Sequence, residues 1–598
     1  MTFIAIQFLT GLSGSVSLFL TAAGLTVIFG VTRVVNFAHG SLFMLGAYLA
    51  WSILTRLPHT PVWFALGVLS AAAIVALIGA ALETTLLRRL YTAPELFQLL
   101  ATFGVMLIVQ DLTQLLWGPN DLSLPRAPWL RGFVTILDAR FPTYDLVSIV
   151  IAPLVLLLLL LLFRHSRFGI LVRACTENRD LAAALGINQR SLSTAVFALG
   201  AGLAGLGGAL ILPDTSANGQ MDLSVIVEAF VVVVVGGMGS VTGAFLASLL
   251  IGELQAFGIV LIPKATLVLM FVTMALVLSL RPNGLLGSPI LAPGHRTIRR
   301  MFPEPSRRLR ILTMASLAAA ATAPFWLPPY PMTVLTEMLI AALFACGLHL
   351  MMGPGGMISF GHAAWFGLGA YASALAVRAP LPLALLAAPV AAGLIAGLFG
   401  WFIVRLSGVY LAMLTLAFAQ IVWAIATQWT WLTGGDDGIL GVWPTGPVPF
   451  YWWVLALASS AIWLLRRSVR APFGLALRAA RDEQNRAVAI GLQPVRLRAA
   501  AFALSGAAAG LSGGLFAFDT GSVFPTYAAI GKSVDGLLMV LLGGIETAAG
   551  PIAGAVAYTG LYDLLLQTVP LWRLVLGLTI VGLVLAFPNG IAGRRRRA

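Results

Sequence analysis

The chain has 598 residues, of which 59% are hydrophobic and only 10% charged, and its formal net charge is +14. A soluble globular protein usually has about a quarter of its residues charged, so this chain has too little polar surface for water and reads as an all-α polytopic membrane protein. A basic balance of this size would suggest nucleic acid in a soluble chain, but here the arginines gather between apolar runs and follow membrane topology, so no nucleic-acid partner is expected.

From the N-terminus, the sequence opens on an apolar stretch without a basic leader and stays apolar. It is therefore expected to form a first spanning helix rather than a cleaved signal peptide. Runs such as Val147–Phe163, Phe197–Leu212, Ala265–Leu280 and Leu571–Phe587 recur along the chain. A hydrocarbon core ~30 Å thick needs about 20 such residues per helix. A closed β-barrel would show segments of about ten alternating residues instead. Cys175 and Cys346 have no motif spacing, so neither a disulfide framework nor a metal cluster is expected.

The connections differ in charge. Arg164–Arg190 and Arg466–Arg498 are arginine-rich, Arg281–Arg310 carries seven arginines, including Arg296, Arg299 and Arg300, against the single acid Glu304, and Arg594–Arg597 follow near the C-terminus. By the positive-inside rule these segments are cytoplasmic. The balanced connection Asp121–Asp145 and the acidic one around Asp436 and Asp437 are expected outside.

One duplication organises everything else. Asn36–Tyr48 aligns without a gap on Ser359–Tyr371, bringing His39 onto His362, Gly46 onto Gly369 and Tyr48 onto Tyr371. Phe168-Gly169, Arg173, Ala182 and Gly186 align on Phe473-Gly474, Arg478, Ala487 and Gly491, and Gly236-Gly237 on Gly543-Gly544. The expected organisation is a first domain over residues 1–290, a basic cytoplasmic linker over 291–310 and a second domain over 311–598. Each domain holds about eight to ten apolar segments, and the two helical bundles form a pseudo-dimer around one pathway.

No GxxxxGK[ST] phosphate loop occurs, and Lys264 and Lys532 are the chain's two lysines, so P-loop ATP hydrolysis by this chain is excluded. No HExxH or CxxC motif is present, and no GxSxG motif stands out as a nucleophile turn either. The two basic loops carry charged helical patches, Arg173–Asp180 and Arg478–Arg486, each ending in alanines and a glycine. One such loop reads as a solvated topological signal; two with the same Arg, Ala and Gly framework favour docking of a partner.

Asn36–Tyr48 together with Gly236-Gly237-Met-Gly-Ser resembles the H-type permease of branched-chain amino-acid ABC importers. Ile358–His362, Thr433–Gly438 and Leu538–Gly544 resemble the M-type subunit. That resemblance covers nearly the whole chain and implies a fused transport subunit of the cell (inner) membrane with a cytoplasmic C-terminus. It would work with two cytoplasmic ATP-binding-cassette ATPases, which use the ATP, and with an extracytoplasmic substrate-binding protein, while this chain binds no cofactor of its own. It also implies that Glu177, Ala182, Ala183 and Gly186, with Asp482, Ala487 and Gly491 as their counterparts and Arg173 and Arg478 beside them, belong to ATPase coupling loops. The substrate is a branched-chain amino acid or a related small polar metabolite, and a secondary transporter or channel is the alternative from a different class.

For the pathway itself, Asn36, His39, Ser359 and His362 stand beside Gly-rich turns, where broken helices present backbone donors to an anion. Packing support is the competing role for them. Glu228 and Asp535, equivalent under the repeat, are either functional acids within the membrane or residues of its outer boundary. A Lys532–Asp535 ion pair is a further expectation.

Overall fold

The computed structural model describes residues 2–91, 93–287, 307–406, 408–444, 446–587 and 590. Most of the 291–310 linker, with Arg296, Arg299, Arg300 and Glu304, lies outside the described residues, as do Arg594–Arg597.

The first repeat contains α1 (Thr2–Thr32), α2 (Ala38–Leu54) and α3 (Pro61–Leu82), which passes through a π turn (Glu83–Leu87) into α4 (Arg88–Leu90). Next come α5 (Glu95–Trp117), the antiparallel strands β1 (Phe133–Ile136) and β2 (Ala139–Pro142), α6 (Thr143–His165) and the short helices α7 (Arg167–Glu177) and α8 (Arg179–Ala184). It closes with α9 (Gln189–Ile211), α10 (Met221–Gly236), α11 (Val241–Leu261) and α12 (Thr266–Leu280). After α13 (Arg307–Thr322) the order recurs: α14 (Pro329–Met352), α15 (His362–Leu375), α16 (Leu381–Ile403), α17 (Gly408–Gln428), α18 (Thr430–Thr433) and β3 (Ile439–Leu440). Then follow α19 (Pro447–Arg470), α20 (Pro472–Asp482), α21 (Gln484–Ala489), α22 (Pro494–Thr520), β4 (Ser522–Val523), α23 (Ile530–Gly543), α24 (Gly550–Thr568) and α25 (Trp572–Ala586).

Twelve helices among the described residues are long and apolar enough to cross a membrane, and the chain is a multi-pass membrane protein. Each repeat also contains shorter apolar helices. With 16 residues, α10 extends roughly 24 Å at 1.5 Å per residue, less than the ~30 Å hydrocarbon core. Hydropathy marks such segments as apolar but does not show where they begin.

The chain divides into two compact units, Met1–Ile290 with Leu571–Leu585, and Leu291–Pro570 with Ala586–Ala598. In the first unit α9 is the hub and packs against α1, α2 and α3. In the second α22 packs the same way against α14, α15 and α16. Glycine allows this. A Cβ on Gly46 of α2 would run into the carbonyl oxygen of Gly205 on α9, and one on Gly208 into that of Phe43. The same collisions recur at Gly369 with Gly510 and at Gly513 with Phe366. Lipid tails are as apolar as leucine, so association rests on close backbone packing of this kind rather than on excluding water.

The last helix is placed differently from its repeat counterpart. Helix α25 clusters with the first unit, where Gly577 faces Gly104 of α5 and Asp111 accepts a 2.8 Å hydrogen bond from the backbone N–H of Leu574. A carboxylate at the first turn of a helix satisfies open donors and the helix dipole together.

Candidate functional site

Between α1 and α2 the backbone leaves the helix inside the packed unit: Arg33 has φ +56°, and Thr32 bonds back to Ile28 O at 2.9 Å. The restart is held by side chains. Asn36 Oδ1 accepts from Ala38 N at 3.1 Å, and Phe37 N donates to Thr102 Oγ1 of α5 at 3.2 Å. The second repeat builds the same start: Ser359 Oγ accepts from Gly361 N at 3.3 Å, and Phe360 N donates to Thr415 Oγ1 of α17 at 3.0 Å. Ser533 Oγ of α23 takes a further donor, Ala363 N, at 2.8 Å. Thr102 and Thr415 are a repeat pair that sequence comparison missed, because threonine in an apolar helix gives no motif.

His39 and His362 are fully buried. His39 Nε2 lies 2.9 Å from Thr21 O, and its ring stands over Gly24 of α1. His362 lies tilted against Phe344 with ring centroids 4.9 Å apart and stands over Gly347 of α14. Each imidazole fills the gap opened by a glycine on the first helix of its repeat. Asn36 and Ser359 are equally buried, and the nearby backbone donors named above are already taken by side chains.

An acid absent from the sequence-based candidates sits beside the α2 start. Asp222, in the first turn of α10, is fully buried. Its carboxylate accepts from Ser41 Oγ at 3.2 Å, from Gln110 Nε2 at 3.1 Å and from its neighbour Leu223 N at 2.7 Å. A negative group there complements the N-terminal ends of both α2 and α10. The repeat places Ala529 at this position, so self-comparison could not reveal it; an aspartate in an otherwise apolar segment was the available signal.

Glu228 lies in the middle of α10, half-buried, with no hydrogen-bond or ion-pair partner among the described residues. Its equivalent Asp535, on α23, is also half-buried and accepts a 2.6 Å hydrogen bond from Tyr558 of α24. Lys532 forms no ion pair with Asp535. Its ammonium lies over the Phe366 and Phe516 rings, 5.1 and 4.7 Å from their centroids, an arrangement the ring quadrupole favours.

At the far end of α6 and of α19 from the connections holding Asp121–Asp145 and Asp436–Asp437, α7–α8 and α20–α21 form matching angled helix pairs. Ala182 and Ala487 are buried at their hearts. Gly186 and Gly491 have φ of +83° and +85°, and the residues after them donate back to Ala182 O and Ala487 O at 3.2 and 3.0 Å. These are left-handed helix ends that strongly favour glycine, so the shared Ala/Gly framework shapes the loop. Glu177, Ala183 and Asp482 are exposed, Asp482 being paired with Arg481 at 2.6 Å.

Arg173 donates to Phe163 O at the end of α6, and Arg478 to Val469 O at 3.3 Å at the end of α19 and to Gly474 O at 3.2 Å within α20. Both arginines tie their loop to the open carbonyls of the preceding helix. Burial and the neighbouring Arg481 pull the Arg478 guanidinium below its usual range. The loops also expose apolar side chains beside these charges. Leu185 is 74% and Ile490 75% exposed, and the repeat-related Ile170 and Leu475 are exposed as well.

On the opposite side of the first unit, Arg126 binds Asp214 at 2.6 Å and Asp145 at 3.5 Å. Partial burial opposes the Arg126 charge, but these two acids outweigh it and hold the guanidinium above its usual range.

Residues 7–278 and 330–584 each match the family described as "Branched-chain amino acid transport system / permease component". The chain is 30% identical over 280 residues to the high-affinity branched-chain amino acid transport system permease protein LivH of Salmonella typhimurium, spanning 45% of this chain and 91% of that protein. It is 29% identical over 320 residues to the LivM permease protein of the same organism, 47% of this chain and 74% of that protein. Against the BraD permease protein of Pseudomonas aeruginosa it is 28% identical over 293 residues, 47% of this chain and 95% of that protein. With two successive matches covering most of its length, the chain belongs to the branched-chain amino acid transport system permease family and carries the family's domain twice.

Proposed function

We propose that this chain is the fused transmembrane subunit of an ATP-driven importer that moves branched-chain amino acids or related small polar metabolites across the cell membrane. Two cytoplasmic ATP-binding-cassette ATPases dock on α7–α8 and α20–α21 and use the ATP, so the chain itself needs no cofactor. A soluble binding protein delivers substrate at the opposite face. Residues 1–290 and 311–598 act as the two permease domains, with 291–310 and the C-terminus cytoplasmic.

The observation that carries this reading is the pair of matched loops, whose exposed Leu185, Ile490, Ile170 and Leu475 lie outside the spanning helices at repeat-related positions. Exposed apolar surface of this kind marks an interaction site. The acids suit a second reading: Glu228, without a partner in mid-helix, and buried Asp222 fit an ion-coupled carrier. Asp222 is fully engaged by its neighbours, however, and Asp535 accepts from Tyr558, so neither of these two acids is a free carboxylate.

The deciding experiment is reconstitution in liposomes with candidate ATPase and binding subunits, measuring uptake of labelled leucine in competition with urea and short amides. Uptake that requires ATP and both partners supports the importer. Uptake that needs no ATP and follows an ion gradient overturns it.

A further inference from the structure

The π turn at the end of α3 holds an ion pair whose acid is fully buried, next to the start of α9. Glu83, the first residue of that turn, is fully buried. Arg88 contacts its Oε2 at 2.9 Å, and Thr194 of α9 donates to the same oxygen at 2.7 Å. Arg88 also donates to Thr194 at 2.6 Å, which closes the triangle. Tyr91 OH donates to the other oxygen, Oε1, at 3.2 Å. Burial and the adjacent Glu83 carboxylate hold the Tyr91 phenol above its usual range, so it stays a donor.

Over the Tyr91 ring lies the guanidinium of Arg179, 5.4 Å from the centroid. Arg179 is the first residue of α8, and its carbonyl accepts from Gln189 at the start of α9. A continuous chain of contacts therefore runs from the docking loop through Arg179 and Tyr91 to Glu83. There it meets α3 and α9, the latter being the hub of the unit.

A π turn inserts one residue into the helical ladder and lets a helix end shift register at low cost, which is why such turns recur at functional positions. Among the described residues, the second repeat does not show this network. Ala499 replaces Thr194 and Gln484 replaces Arg179, and Arg498 binds backbone carbonyls instead, Val404 O at 3.4 Å and Ala480 O at 3.3 Å.

We propose that Glu83 is a positioning residue that transmits movement of α8 to α3 and α9, so that the first repeat couples ATP hydrolysis to opening of the pathway through a polar switch that the second repeat does not have. The proposal rests on the importer reading and adds to it an asymmetry between the docking loops. Without the carboxylate, α8 moves without dragging α3 and α9, and hydrolysis continues without productive transport.

The test uses the full chain with its ATPases and binding protein in proteoliposomes, and reads ATP hydrolysed per substrate imported. Glu83→Gln keeps the shape and removes the charge, Tyr91→Phe keeps the ring under Arg179 and removes the hydroxyl, and Arg179→Gln installs the residue of the second repeat. Allosteric couplings typically amount to 5–150-fold. Glu83→Gln is expected to raise the ratio roughly tenfold within that range, with ATPase co-purification unchanged, and Tyr91→Phe and Arg179→Gln to raise it less. Should Glu83→Gln fail to insert, the other two variants, which alter only the rim of the network, carry the test. A ratio equal to wild type in the inserted variants, with ATPases bound, overturns the coupling role. Failure of the wild-type chain to bind ATPases at all overturns the importer reading and the coupling role with it.

Discussion

Gly208→Ala tests whether close backbone crossing at the hub holds each unit together. Its new Cβ would drive into the carbonyl oxygen of Phe43 and stand 3.1 Å from Ala47 N. These are main-chain atoms of α2, so no rotamer change relieves the clash and α2 has to move off α9. Overpacking of this kind costs about 1–3 kcal/mol, whereas replacing a helical glycine by alanine contributes roughly 0.5–1 kcal/mol in favour. Because the clash is with main chain it falls at the upper end of the overpacking range, so the net loss is ~2 kcal/mol, enough to lower the melting temperature by a few degrees. Gly14 of α1 is the control, because a Cβ there meets nothing within 4 Å, so Gly14→Ala keeps only the favourable part. The assay is thermal melting of detergent-purified protein followed by size-exclusion fluorescence. If Gly208→Ala melts at or above wild type, or if Gly14→Ala falls by the same amount, backbone contact at the hub is not what stabilises the unit. Gly513→Ala repeats the experiment in the second unit.

Thr102→Val and Thr415→Val remove the acceptors for Phe37 N and Phe360 N. Each takes a hydrogen bond from a buried donor at a cost of about 0.5–1.5 kcal/mol, visible as a lower melting temperature, whereas Thr→Ser at either site is expected to keep most of the stability. Asp222→Ala strands Gln110 and Ser41 and is expected to destabilise by about 2 kcal/mol in the same assay, with Asp222→Asn milder. Leu185→Asp combined with Ile490→Asp removes two exposed apolar contacts. With each buried leucine or isoleucine worth about 1.5–3 kcal/mol, the pair should weaken ATPase binding at least about a hundredfold, and unchanged co-purification would refute docking at these loops. Arg173→Glu is expected to loosen α7 from the end of α6, read as faster proteolysis of the 164–190 loop.

Much of this protein was legible in its sequence. Hydropathy is a local property, so the apolar spans, the helical class and the absence of a phosphate loop follow from composition and short windows. The duplication is a property of order along the chain, and it aligned Ala182 with Ala487 and Gly186 with Gly491 before their geometry was known. Their geometry in turn explains the alignment, since a left-handed helix end needs the glycine.

What only the tertiary structure decided concerns partners far apart in sequence. It showed that Thr102 and Thr415 hold the starts of α2 and α15, that Asp222 stands against Ser41 and Gln110, and that Arg173 and Arg478 grip the helices before them. It also placed Lys532 over two rings instead of beside Asp535, and α25 with the first unit. Each of these is a hydrogen bond, ring contact or backbone crossing between segments that no periodicity relates. In an apolar chain, where nearly every helix face is hydrophobic, composition states that the segments are buried, and packing alone determines against what.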